Sequence, residues 1–211
     1  MLKGKFITFE GIDGCGKGTQ IKKLQEYLDL NNVQAYFTRE PGGNKVAEKI
    51  RNILKDQENV DITPNCELLL FSASRTLLVE TVIKPKLENG ELVVCDRYVD
   101  SCTAYQGYGR DFDLENVYML NSFATSGIMP DLTILLDLSP FEGLRRNASD
   151  VTKMDRFEAE GFLLQEKVRN GFLEIAKNNP ERFLVIDATK TPDEIFEIIL
   201  LELKQRGIVE C

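Results

Sequence analysis

Residues 6–20 read FITFEGIDGCGKGTQ, an apolar run followed by a glycine-rich turn and a lysine. The run Phe6–Glu10 predicts a short buried strand, and apolar residues at helical spacing in Lys17–Leu30 predict a helix directly after the turn. A turn of this kind directs backbone N–H groups and a helix N-terminus toward an anion, to which Lys17 adds a positive charge. The stretch therefore predicts a phosphate-binding loop. A tight turn with an exposed lysine is the alternative.

The residue after the lysine departs from the usual form of such a loop. Phosphate loops commonly end Gly-Lys-Ser/Thr, and the hydroxyl is a ligand of Mg²⁺. Here Gly18 takes that place and Thr19 follows it. The loop alone leaves three interpretations open: a nucleotide site that has lost its function, a site of a different kind, or a glycine-rich turn that binds nothing.

The rest of the chain alternates strand-like and helix-like segments. Further strands are predicted at Val33–Thr38, Leu92–Asp96, Leu132–Asp137 and Phe183–Asp187, and further helices at Val46–Leu54, Pro64–Glu88, a stretch ending near Lys177, and Pro192–Lys204. Five apolar strands with helices between them predict an α/β fold, a five-stranded parallel sheet with helices on both faces. Without repeats or a linker, residues 1–211 are expected to form a single domain.

Composition narrows the classes of function. The net charge of −8 argues against non-specific nucleic-acid binding through a basic face. Five scattered cysteines without a C-x-x-C pair, and no histidine, argue against a zinc site and suggest free thiols. No apolar run approaches a membrane span and no signal segment is visible, so we expect a cytoplasmic protein that does not bind membranes.

Polar segments follow the predicted strands, where ligands bind in parallel sheets. In LVVCDRY (92–98), Asp96 could hold a water bound to Mg²⁺ and Arg97 could bind a phosphate, although a strand-end salt bridge would look the same. In REPGG (39–43), an Arg–Glu pair lies where a second substrate could bind, and a simple Pro-Gly turn is the alternative.

Two further segments carry residues suited to a nucleotide. In FSASR (71–75), Phe71 and Arg75 share one helical face and could stack on a base and bond its carbonyl, although a core Phe with a surface Arg is the commoner outcome. The span 143–160 carries four cations around a polar centre, which predicts a lid near 145–156 that closes over phosphates, or else a solvated helix–loop–helix.

Together these segments resemble thymidylate kinases, members of the nucleoside-monophosphate kinase group with the P-loop NTPase architecture. The resemblance extends over almost the whole chain and is most specific in DRY followed by Ser101 and AYQG. It implies the ATP- and Mg²⁺-dependent phosphorylation of dTMP to dTDP by an enzyme that is usually a homodimer.

The resemblance also implies roles for individual residues. ATP would be held by Gly11, Ile12, Asp13, Gly14, Cys15, Gly16, Lys17, Gly18 and Thr19. The dTMP site would comprise Asp13, Glu40, Phe71, Arg75, Arg97, Ser101, Tyr105 and Gln106, with Tyr105 excluding a ribose 2′-hydroxyl. The catalytic cations would be Lys17, Arg97, Arg146 and Arg156, the last two in the lid, and residues 187–190 (DATK) would line the adenine side. The run GKGTQ also occurs in adenylate kinases, so Gly18 implies a functional loop in which Mg²⁺ is held through water, opposite Asp96 and with Thr19 nearby.

Three other classes of protein share part of this pattern. A kinase of AMP, UMP or CMP would share the loop but is not expected to carry Arg97-Tyr98 followed by AYQG. A GTP-binding switch needs N-K-x-D, and NKVA at 44–47 lacks the Asp. A silent nucleotide-binding module is disfavoured by Lys17, Asp96 and Arg97 together.

Overall fold

The computed structural model describes residues 2–59, 61–147 and 161–209. The strands are β1 (Phe6–Glu10), β2 (Ala35–Arg39), β3 (Leu92–Asp96), β4 (Leu132–Asp137) and β5 (Phe183–Asp187). They form one parallel sheet in the order β2-β3-β1-β4-β5, so the predicted fold class is confirmed. All of β1 is buried at the centre of this sheet, which accounts for its continuous apolar run.

The helices are α1 (Lys17–Leu30), α2 (Lys45–Lys55), α3 (Pro64–Leu78), α4 (Lys84–Glu88), α5 (Val99–Cys102), α6 (Leu114–Thr125), α7 (Pro140–Asn147), α8 (Phe162–Asn178) and α9 (Pro192–Gln205). Two π-helical segments, Val79–Ile83 and Thr103–Gly109, follow α3 and α5. The predicted stretch 64–88 is thus continuous from α3 to α4. Within the described ranges, no helix is both long and apolar enough to cross a bilayer.

Side chains of the sheet alternate between two apolar clusters, one on each face. Ile7 and Phe9 of β1 pack with α1, α8 and α9, whereas Phe6 packs with the segment from Leu78 to Leu87. Successive residues of a strand point to opposite faces, so β1 contributes to both clusters. Helices therefore cover both faces of the sheet, as predicted.

Three local predictions were wrong or incomplete. β2 begins at Ala35 and not at Val33, because the Val33 N–H still donates to Leu28 O in the turn that closes α1. Helix α6 was not predicted. Its exposed apolar residues blur the helical period, since Phe123 is 80% exposed. The polar segment predicted from Arg145 onward is helical as far as Asn147, and residues 148–160 lie outside the described part of the chain.

Candidate active site

The glycine-rich turn after β1 folds tightly against the neighbouring strand. A Cβ at Gly11 would lie 2.6 Å from the carbonyl oxygen of Leu136 in β4, and Gly11 has a φ of +137°. Lys17, at the first position of α1, donates through Nζ to Gly11 O at 3.0 Å and Ile12 O at 3.1 Å. The lysine thus folds back over the loop that it follows and is buried.

The loop also packs directly against the backbone of α7. A Cβ at Gly14 would collide with the carbonyl oxygen of Gly143, and a Cβ at Gly143 would lie 2.7 Å from Asp13 O. Gly14 also has a φ of +79°, which favours glycine. The two glycines allow the phosphate loop and the helix that leads into residues 148–160 to lie in backbone contact.

Gly18 and Thr19 lie exposed at the start of α1 and line the cleft described below. A Cβ at Gly18 would meet no atom within 4 Å. On the opposite side, Asp96 ends β3, and its buried Oδ1 accepts no hydrogen bond from any described residue. Among the described residues Asp96 forms no ion pair, and the salt bridge that this strand end does form is made by its neighbour Arg97 with Asp13.

Arg97 joins the segment after β3 to the phosphate loop. Its Nη1 donates to Gly11 O and to Ser101 Oγ, each at 3.0 Å, and its Nη2 donates to Asp13 Oδ1 at 2.6 Å and to the Tyr105 hydroxyl at 3.3 Å. Its φ is +69°, in the left-handed region. Burial alone would raise the pKa of Asp13. The positive charges of Arg97 and Lys17 lower it by more, so the pKa lies below its ordinary value.

Glu10, the last residue of β1, binds the segment that follows β3 through its side chain. It was not predicted as a functional residue. Its Oε1 accepts from the Tyr98 N–H at 2.7 Å and the Ser101 N–H at 3.3 Å, and its Oε2 accepts from Ser101 Oγ at 2.5 Å. Burial and then the charge of Asp100 raise the pKa of Glu10 to about 8. The sequence signal for this role is an acid at the end of a fully buried strand, since a buried carboxyl group needs hydrogen-bond partners.

Arg75 and Phe71 lie on one wall of the cleft. The commoner arrangement for such a pair is a buried Phe and an exposed Arg, and here the arginine is the more buried of the two. Arg75 is 1% exposed, whereas Phe71 is only half-buried. The Arg75 guanidinium donates to Glu40 Oε2 at 2.6 Å, to Asn121 Oδ1 at 2.7 Å and to Tyr98 O at 3.3 Å. Glu40 follows β2, and its N–H donates to Asp96 O at 2.9 Å. The guanidinium is therefore held in one orientation.

Tyr105 and Gln106 lie on the π-helical segment Thr103–Gly109, whose wide turn brings both side chains to the cleft. The Tyr105 hydroxyl donates to Asp13 Oδ2 at 3.4 Å, and the Gln106 Nε2 donates to Glu67 Oε1 at 3.0 Å. Glu67 was not among the predicted residues.

These groups surround one cleft of about 380 Å³ beyond the carboxyl ends of β1, β2 and β3. All eight residues predicted for dTMP line it, together with Gly14, Gly16, Lys17, Gly18 and Thr19 of the loop and with Asp96. Gly11, Ile12 and Cys15 do not line it, because they form the base of the loop. The lining carries six cationic and three acidic side chains, an excess of positive charge in an acidic chain.

The cleft also contains Arg51 and Lys55 of α2, which sequence reasoning missed. Arg51 Nη1 donates to Pro41 O at 2.9 Å. Both residues belong to an amphipathic helix rich in charge, and no local motif distinguishes them from solvated residues. Their approach to the cleft depends on how α2 packs against α3.

The predicted lid cations are only partly described. Arg146 of α7 donates from Nε to Glu142 Oε1 and from Nη2 to Ala188 O, each at 3.1 Å, so it contacts the DATK segment and does not line the cleft. Arg145 pairs with Glu142 at 2.7 Å. Arg156 lies outside the described residues.

Comparison with known proteins adds independent information. The thymidylate kinase family model matches residues 9–199. A thymidylate kinase of Geotalea daltonii is 48% identical over 90% of this chain and 92% of its own length, and one of Caldanaerobacter subterraneus is 43% identical over 97% of both. The solved structure of thymidylate kinase from Ehrlichia chaffeensis superposes with a TM-score of 0.76 at 35% identity, covering 95% of this chain and 98% of that one. On this basis, the chain belongs to the thymidylate kinase family.

Proposed function

We propose that this chain transfers the γ-phosphoryl group of ATP to dTMP, giving ADP and dTDP on the route to dTTP. The observation that carries the proposal is the position of Arg97, whose guanidinium bridges the phosphate loop and the wall that holds Tyr105. A cation there can hold the phosphate of an acceptor against the loop that holds the donor. Family membership supports the same assignment.

The acceptor, dTMP, would bind against the wall of the cleft that is formed by α3, the segment after β2 and the π-helical segment Thr103–Gly109. Phe71 would stack on thymine, Arg75 would donate to its carbonyl, and Tyr105 would lie against C2′ of the sugar. We assign Asp13 to the 3′-hydroxyl and Arg97 to the phosphate. The remaining residues of this wall, Glu40, Ser101 and Gln106, would fix these groups or contact the nucleotide directly.

The donor would lie over the phosphate loop, with Lys17 near the β- and γ-phosphates. Lys17 Nζ now bonds to loop carbonyls at 3.0 and 3.1 Å, so a small rotation would suffice for it to reach a phosphate oxygen above the loop. Arg146 contacts Ala188 O and would connect the phosphate end of ATP to the adenine side at 187–190. Arg156 remains a lid candidate.

Mg²⁺ fits the donor atoms present. The buried Asp96 Oδ1 lacks a hydrogen-bond partner among the described residues, and a cation or its bound water would supply one. Within those residues, no cluster of three metal-ligating side chains occurs, which suits an ion that keeps several waters and binds phosphates. Thr19 is the second candidate near the ion. When bound, Mg²⁺ neutralises charge on the β- and γ-phosphate oxygens.

The transfer needs no general base from the protein. An oxygen of the ionised dTMP phosphate attacks the γ-phosphorus, the bond from that phosphorus to the β–γ bridging oxygen breaks, and ADP leaves. Catalysis is then positioning and charge neutralisation by Lys17, Arg97 and the lid cations.

We further propose that the enzyme is a cytoplasmic homodimer. Helices α3 and α6 pack against each other, and both expose apolar side chains, with Leu69 57%, Met119 63% and Phe123 80% exposed. Exposed apolar surface of this kind favours self-association. Sedimentation velocity should show a dimer that Phe123→Asp dissociates and the matched control Leu30→Asp does not. If both variants dissociate the dimer, or neither does, the exposed apolar surface of α3 and α6 is not the dimer interface.

The experiment that tests the reaction is an ADP-release assay across the common deoxyribo- and ribonucleoside monophosphates. We expect dTMP to give the highest kcat/KM, dUMP to follow, and AMP, CMP and UMP to be poor acceptors. Comparable turnover of AMP or CMP would overturn the proposal and favour another nucleotide kinase.

A further inference from the structure

We propose that Glu67 is a positioning residue that fixes the amide orientation of Gln106 and so makes the site select a 4-oxo over a 4-amino pyrimidine. The inference rests on the proposed function and extends it to the choice of base. It starts from a buried acid on α3 that does not itself line the cleft.

The Glu67 carboxylate is 1% exposed and is surrounded by donors. Its Oε1 accepts from Gln106 Nε2 at 3.0 Å and from Arg110 Nε at 3.1 Å, and its Oε2 accepts from Arg110 Nη2 at 3.0 Å. The guanidinium of Arg110 is the charged partner of the Glu67 carboxylate, and the amide of Gln106 is its neutral partner.

An ionised carboxylate can only accept hydrogen bonds. The Gln106 amide has a donor end and an acceptor end, and turning its oxygen toward Glu67 would place two acceptors in contact inside the protein. Glu67 therefore holds the Nε2 end, and the Oε1 end remains for the cleft that Gln106 lines. Among the described residues, none donates to Gln106 Oε1.

Arg75 completes the pattern. A guanidinium has donors only, and Glu40 and Asn121 hold this one in place. The wall that carries Phe71, Arg75 and Gln106 thus presents a fixed donor and a fixed acceptor. Thymine and uracil offer the complementary pair, a carbonyl at C4 and an N–H at N3. Cytosine offers an amine at C4 and a bare N3, so both contacts would be mismatched.

The test compares dTMP with 5-methyl-dCMP, which differ only at N3 and C4. Binding of each is measured by isothermal titration calorimetry without ATP. Glu67→Gln replaces the carboxylate with an amide. Because the new amide has both a donor and an acceptor, it can bond either end of the Gln106 amide, and Gln106 is then free to turn over. We expect the parent to prefer dTMP strongly and the variant to lose about 10-fold or more of that preference, partly through tighter binding of 5-methyl-dCMP.

Glu67→Asp is the matched control, because it keeps an acceptor-only group and should retain the preference even if affinity for both nucleotides falls. Glu67→Gln also removes the ion pair between Glu67 and Arg110. If the variant does not fold, Glu67→Gln/Arg110→Met removes both charges and should show the same loss of preference.

The outcomes separate the two proposals. A parent that shows no preference for dTMP contradicts the proposed function. A parent that prefers dTMP, together with a Glu67→Gln or double variant that keeps the same preference while binding both nucleotides more weakly, would show that Glu67 only stabilises the fold and would overturn this inference alone.

Discussion

Arg97 and Asp13 form an ion pair of 2.6 Å across the cleft, joining the turn after β3 to the phosphate loop after β1. Both side chains are mostly buried, with 17% and 29% of their surface exposed. The pair couples the residue assigned to the acceptor phosphate with the loop assigned to the donor. Under the proposed function, this ion pair would set the spacing between the two substrates.

Arg97→Ala should reduce kcat/KM for dTMP by about 100-fold or more, because a two-pronged phosphate contact is lost in a closed site. The parent arginine already has a φ of +69°, so alanine adds no backbone strain, whereas Arg97→Gly relieves it; together the two variants separate loss of the guanidinium from a change in the backbone. Both variants should be nearly inactive yet folded by circular dichroism. Near-normal turnover in either would rule out the role.

Replacing Tyr105 with alanine should narrow the ratio of kcat/KM for dUMP over UMP, because a ring that lies against C2′, as proposed, would leave no room for a ribose hydroxyl. Tyr105→Phe keeps the ring and loses only the hydroxyl contacts to Asp13 and Arg97. It should therefore keep the ratio while lowering kcat/KM for both. An unchanged ratio in the alanine variant would count against the steric explanation and direct attention to Asp13 or Gln106.

Gly18→Ser should lower the Mg²⁺ concentration needed for half-maximal turnover, since it adds a hydroxyl where a Cβ meets no atom within 4 Å. Thr19→Ala should raise that concentration, and Gly18→Ala should leave it near the parent value. The measurement is a Mg²⁺ titration of turnover at saturating ATP and dTMP. Superimposable curves would show that hydroxyls at 18 and 19 are irrelevant and that Asp96 and water suffice.

Glu10→Gln should alter how stability depends on pH. The pKa of Glu10 rises from 4.5 to about 8 on folding, so between these values the folded state binds more protons than the unfolded state. The parent's free energy of unfolding should therefore fall as pH rises through this window, by up to a few kcal/mol. Glutamine preserves an acceptor for the Tyr98 N–H and removes the titration.

Denaturant unfolding of the parent and Glu10→Gln between pH 5 and 8 measures this difference. The charged neighbours Asp100, Arg97 and Arg182 are present in both proteins, so the comparison reports the charge of the Glu10 side chain together with its interactions with them. The stability of the variant relative to the parent should increase with pH. Parallel curves would contradict the assignment of the proton to Glu10.

Local chemistry explains which features could be predicted from the sequence. The glycine-rich turn after β1, the strand Leu92–Asp96 and the start of α9 at Pro192 each depend on a few neighbouring residues, and each was predicted correctly. The cleft residues in motifs after β1, β2 and β3 could be found because parallel strands end at one edge.

Residues that depend on tertiary packing could not be found in this way. Arg51 and Lys55 reach the cleft only because α2 packs beside α3. Glu67 accepts a hydrogen bond from Gln106, 39 positions later in the chain, and neither sequence pattern indicates the other. Helix α6 lacks a clear apolar period because part of its apolar surface faces outward.

The backbone contact between Gly14 and Gly143 has a mechanical consequence. Side chains between two elements can change rotamer and absorb a displacement, but two glycines in contact have none. A tilt of α7 must therefore displace the phosphate loop, and a shift of the loop on nucleotide binding must tilt α7. The angle of α7 therefore reports directly on the position of the loop. A shift of the loop would be transmitted along that helix to its far end as a single rigid movement.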